Sequence, residues 1–145
     1  MSAVIFMASL TQTAFVVDWS FSLDFVDPRD ISGTVPLVFG WGGLFNAGNL
    51  GYAAWLANPG IAATWVLYLG DKKPVAQISA VISLVLTLSF LMVKEVPFLG
   101  PKQLDPVPIV SYGIGYWLWV ASAAILASGT CADMYRSSIC AKAGR

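Results

Sequence analysis

The chain contains no histidine. That removes the commonest general base, the commonest metal ligand and the usual proximal haem ligand together. Charge is scarce as well. Eight Lys and Arg stand against eight Asp and Glu, 11% of 145 residues, where an ordinary soluble domain carries roughly 25%. Sixteen charges could not cover the surface of a water-soluble protein of this size. There is no basic run and no net charge, so nucleic acid is excluded as a natural partner. No G-x-S-x-G, P-loop or H-E-x-x-H motif occurs, which leaves hydrolase, nucleotide-binding and zinc-protease chemistry without their usual residues. The N-terminal "MSAVIFMASL" lacks Lys and Arg, so it lacks the n-region of a secretory signal, and Ala3 to Val17 is expected to be retained. Two cysteines, Cys131 and Cys140, are too few for a zinc site without histidine. They are expected to be free thiols, Cys140 does not sit where a prenylation signal needs it, and no cofactor is expected.

What the chain has in abundance is apolar sequence. The hydrophobic fraction is 57% and the mean hydropathy +0.73. A helix crosses the hydrocarbon core with about 20 apolar residues, and four stretches approach that length: 3–21, 48–70, 74–93 and 112–130. The third, "PVAQISAVISLVLTLSFLMV", is the most uniform. The fold expected is an all-α integral membrane protein, a single domain over 1–145 built as a bundle of about four transmembrane helices. A glycine-rich apolar segment, Gly33 to Ala47, could extend the second span, lie at the interface or form a separate span. A proline-rich connection, Lys94 to Ser111, carries prolines at 97, 101, 106 and 108, which forbid a continuous helix there.

Basic residues orient such a bundle. With four spans and both termini cytoplasmic, Lys72, Lys73, Arg136, Lys142 and Arg145 lie inside, and Arg29, Lys94 and Lys102 outside. Five against three follows the positive-inside rule, and a five-span arrangement would reverse it. The long connections are then external, and the "DKK" turn is internal.

Polar groups inside the apolar stretches are the candidates for function. "WLANPG", Trp55 to Gly60, lies in forty residues without a charge, Ile31 to Gly70. Pro59 near mid-span is expected to leave the Trp55 carbonyl unpaired and to kink the helix, with Asn58 helping to satisfy the exposed groups. Ser79, Ser83 and Thr87 recur every four residues and share a helix face. Such a face suits close packing of a kinked helix against its neighbour, and a broken helix lining a substrate site is the sharper alternative. Tyr112, Tyr116, Trp117 and Trp119 are expected to form an interfacial aromatic belt rather than a cation or pigment cage. Asp24, Asp27 and Asp30 match no calcium loop and read as a solvated turn around Pro28.

"GYAAWLANP" (Gly51 to Pro59), a short basic turn, a further span and "GYWLWVAS" (Gly115 to Ser122) resemble small multi-span bacterial inner-membrane proteins of unknown function. These carry a W-x-A-N-P element in one helix and G-Y-W-L-W in the last. The resemblance implies a bacterial inner-membrane location and no particular activity. The function expected is that of a non-enzymatic accessory or interaction subunit of a membrane complex, whose partners are the lipid bilayer and other membrane subunits. The alternative is an immunity protein that neutralises a membrane-active or periplasmic protein toxin. A small transporter is disfavoured, because no ionisable group lies deep in a span.

Overall fold

The computed structural model describes residues 1–18, 29–41, 50–97 and 106–143. The chain is mostly helical, but it also contains a small antiparallel sheet, so the all-α expectation is corrected. Among the described residues two helical stretches, not four, are long and apolar enough to cross a membrane, Lys73–Met92 and Ile114–Ser137.

The first expected span, 3–21, is helix only at its start. Helix α1 covers Ser2–Thr11 and ends at Gln12, whose backbone is extended. Strand β1, Thr13–Val17, follows at once. "TAFVV" is apolar enough for a span, but three of its five residues are β-branched and suit a pleated surface better than a helix. The proposed outer acidic turn partly resolves into strand β2, Arg29–Ser32. Asp24, Asp27 and Pro28 lie outside the described residues, and Asp30 is exposed. Helix α2, Thr34–Phe39, occupies the glycine-rich segment.

The second span, expected over 48–70, begins as a 3-10 helix, Leu50–Leu56, and continues as α3, Ala57–Leu69. The change of winding falls just before Pro59. A 3-10 turn does not ask for the i→i−4 bond that proline cannot make, so Pro59 sits in the first turn of α3 and is not a mid-helix kink. The turn after α3 reverses the chain through Asp71, which adopts a left-handed φ of 58°. Gly70 and Lys72 N–H groups cap the Val66 and Leu67 carbonyls at 2.9 Å each. Helix α4, Lys73–Ser89, starts with proline in its first turn, where the missing N–H has no partner to lose. A 3-10 turn, Phe90–Met92, extends it.

The proline-rich connection contains strands β3, Glu95–Pro97, and β4, Pro106–Tyr112. The sheet order is β2-β1-β4-β3, antiparallel throughout. Prolines are admitted because β1 gives out at Val17, where the following Asp18 N–H reaches the Pro108 carbonyl at 3.1 Å. Pro106 and Pro108 pair with Pro97 and Glu95 of β3 and lie beyond the last β1–β4 register pair, Val17 with Ile109, so their missing N–H groups interrupt no β1–β4 rung. Helix α5, Ile114–Ala143, leaves β4 after a single residue, Gly113, and is 30 residues long.

Helix α3 packs on α4, and α5 packs on both α4 and α1. The bundle core gathers Phe6, Ile61 and Ala123, with Leu37, Trp65, Leu84 and Trp119 against it. The sheet core gathers Ala14, Phe15 and Val17 under Phe90, Ile109 and Tyr112. Outside these cores the helices are apolar and uncovered. Only 22% of the apolar window of α4 with its 3-10 turn is buried, and 33% of that of α5. Most of the apolar surface of these two helices is therefore exposed.

Candidate functional site

The two sets of residues singled out above meet different parts of α4, the first along its contact with α3 and the second at its C-terminal end. At the α3–α4 contact the point of closest approach is Gly60, one residue beyond Pro59. A methyl group on Gly60 would overlap the Ser83 hydroxyl. Ser79 Oγ donates to the Gly60 carbonyl at 3.0 Å, and Thr64 Oγ donates to the same carbonyl at 2.9 Å. Ser83 and Thr87 turn back onto their own helix, to the Ser79 and Leu84 carbonyls at 2.8 and 2.7 Å. Ser83, Thr87 and Thr64 are buried, whereas Asn58 is half-buried and Pro59 exposed. Among the described residues Asn58 has no hydrogen-bond partner. The hydroxyl stripe therefore meets α3 through Gly60, and every hydroxyl in it is occupied by a backbone carbonyl. Nothing in that arrangement points a reactive or coordinating group toward a ligand.

The aromatic set does different work from a belt. Tyr116 is 2% exposed, and its hydroxyl donates to the Thr87 carbonyl at 3.0 Å. Tyr112 shares its proton between the Phe90 and Val93 carbonyls, at 3.1 and 2.8 Å. The last carbonyls of a helix have no partner within it, and in a membrane an unpaired carbonyl costs several kcal/mol, on the order of what a buried amide loses. Two tyrosines thus close the C-terminal end of α4. Phe90 fills the centre, with Phe15, Tyr112, Tyr116 and Trp119 rings at 5.7, 5.9, 5.9 and 6.5 Å. An interfacial belt needs rings on the outside, and here only Trp117, 52% exposed, is placed for it. Trp119 is half-buried, and its indole N–H has no partner among the described residues. Burial also pushes the Tyr112 phenol above its ordinary pKa.

At the far end of the bundle Tyr68 donates to the Asp133 carboxylate, joining α3 to α5. Gln77 Nε2 lies 2.9 Å from Cys131 Sγ, joining α4 to α5. Cys131 and Cys140 are free and exposed. No group of three His, Cys, Asp or Glu among the described residues could hold a metal ion.

Sequence reasoning missed three positions that organise this arrangement: Gly60, Tyr112 as a cap, and Tyr116 as a cap. Gly60 was detectable only as a small residue in the apolar stretch preceding the one that carries the Ser79–Ser83 stripe. The tyrosine caps had no sequence signal, because their acceptors lie 19 to 29 residues away across a chain reversal. No protein-family model, curated protein or solved structure matches the chain.

Proposed function

We infer that this is a multi-pass membrane protein acting as a non-enzymatic interaction subunit of a membrane complex. The supporting observation is the exposed apolar surface on every long helix, beside an interior whose hydroxyl groups are spent on backbone carbonyls. The continuous winding from Leu50 to Leu69 adds a third crossing. Seven 3-10 and thirteen α residues rise about 33 Å, slightly more than the hydrocarbon core of about 30 Å. Helix α1 rises about 15 Å and lines α5 through half that depth. The Lys72–Lys73 turn and the C-terminal end of α5 share one end of the bundle, which we place in the cytoplasm of a bacterium by the positive-inside rule. The sheet then faces outward.

The sheet supports a second reading. A folded outer surface with Asp30, Glu95 and Val110 exposed suits an immunity protein that meets a toxin from outside. Affinity purification in a mild detergent tests both. Stoichiometric recovery of integral membrane subunits supports the first reading. Recovery of an exported protein toxin supports the second, and a monodisperse protein with neither partner would sink both.

A further inference from the structure

We propose that α2 is a lipid-immersed wedge, held within the outer leaflet with its exposed face against acyl chains. The proposal rests on the membrane reading above. At six residues α2 rises about 9 Å, too little to cross, so the question is which solvent it meets. Its inner side carries Leu37, packed onto the Phe6–Ile61–Ala123 core. Its other side carries Val35, Val38 and Phe39, exposed by 42%, 54% and 56%.

Three observations choose lipid over water or protein. The first is depth. Trp55, whose indole N–H donates to the Leu37 carbonyl at 3.0 Å, lies roughly 22 Å along the helical axis from Leu69. A hydrocarbon core of about 30 Å therefore encloses it. The second is the treatment of the helix ends. Gly33 N–H donates to the Gln12 carbonyl at 2.9 Å, and the Leu37 carbonyl is capped by Trp55. Water would satisfy such groups unaided, whereas lipid requires partners within the protein. The third is the surroundings. No charged residue occurs from Ile31 to Gly70, so the face has no local charge of the kind that a protein–protein rim ordinarily carries. The helix that α2 touches, α1, also exposes apolar side chains, Val4 and Met7.

Site-directed spin labelling of the full chain tests this. Single cysteines at Val35, Val38 and Phe39 are introduced in a Cys131→Ser, Cys140→Ser background and reconstituted in phosphatidylcholine–phosphatidylglycerol vesicles. Collisions with molecular oxygen and with a water-soluble nickel chelate are then measured, with Val81 and Val85 on α4 and Asp30 on β2 as reference sites. The expected result is free access for oxygen and loss of nickel collisions at the three α2 sites, matching Val81 and Val85 and opposite to Asp30. Nickel access at Val38 and Phe39, with α4 still shielded, would place α2 in water and overturn the proposal. Low access for both reagents would mean that protein covers the face, which also overturns it. Nickel access at Val81 and Val85 as well would remove the membrane reading itself.

Discussion

At the scale of single residues the testable centre is Gly60. Adding a methyl there drives it into the Ser83 hydroxyl, and overpacking of this kind costs about 1–3 kcal/mol. Gly60→Ala should therefore lower thermal stability in detergent, while Pro59→Ala and Asn58→Leu next to it change little, since neither side chain makes a described bond. Combining Gly60→Ala with Ser83→Ala should recover much of the loss, and strictly additive losses would contradict the contact. Tyr112→Phe removes the proton shared between the Phe90 and Val93 carbonyls and should cost about 0.5–1.5 kcal/mol. The same residue sets a pH dependence. Its phenol loses a proton near pH 10.0 when unfolded and at higher pH when folded. The folded state then holds a proton that the unfolded state has released. Its contribution is complete below about pH 10 and is lost as pH rises through the folded pKa. Denaturation between about pH 9 and 11 should be less pH-dependent in Tyr112→Phe than in the wild type, and equal slopes would refute the assignment.

At the scale of elements, hydropathy located the two long apolar helices and failed where apolar strands imitate helices. The span expected over 74–93 corresponds to α4 and its 3-10 turn, Lys73–Met92, because a uniform apolar run bounded by a turn and Lys94 has one reading. The beginning of α5 was legible at the glycines and aromatics after Tyr112. Its C-terminal end, Ala143, was not, because a helix can continue into water where hydropathy no longer marks it. Strand β1 was hidden inside the run from Ala3 to Phe21, where Thr13, Val16 and Val17 were the available warning. Strands β3 and β4 were hidden behind prolines, whose exclusion from helices says nothing about an edge strand such as β3 or about the end of β4 that runs past the β1 ladder. Of the site residues, the Ser79–Ser83–Thr87 face was readable from its spacing. The tyrosine caps were not, because capping is a tertiary contact. The α3–α4 turn offers an element-scale test. Asp71 holds a left-handed backbone that costs a β-branched residue about 1–2 kcal/mol or more. Asp71→Val should destabilise the helical hairpin, Asp71→Gly should not, and thermal melting of the two variants separates them. Replacing both exposed thiols, Cys131 and Cys140, with serine should leave melting unchanged.

At the scale of the whole molecule, the basic turn at Lys72–Lys73 and the C-terminal end of α5 lie at one end of the bundle and the sheet at the other. Reporter fusions following Arg145 should therefore read cytoplasmic, and insertions beside Asp30 external; an external C-terminus would invert the topology. The pairing of β1 with β4 has a consequence for biosynthesis. Val16 lies opposite Ser111, so 95 residues must emerge before that rung of the ladder can close. At about 5–20 residues per second the ribosome needs roughly 5–20 s for them. Throughout that interval the nascent β1 has a vacant edge, and the C-terminal end of α4, once made, lacks both tyrosines that later cap it. A chain arrested before Pro106 holds α1 to α4 but cannot complete its sheet. Quality-control proteases would therefore meet every newly made molecule during a defined window, and that window shuts only with the arrival of the final strand and of Tyr116 just after it.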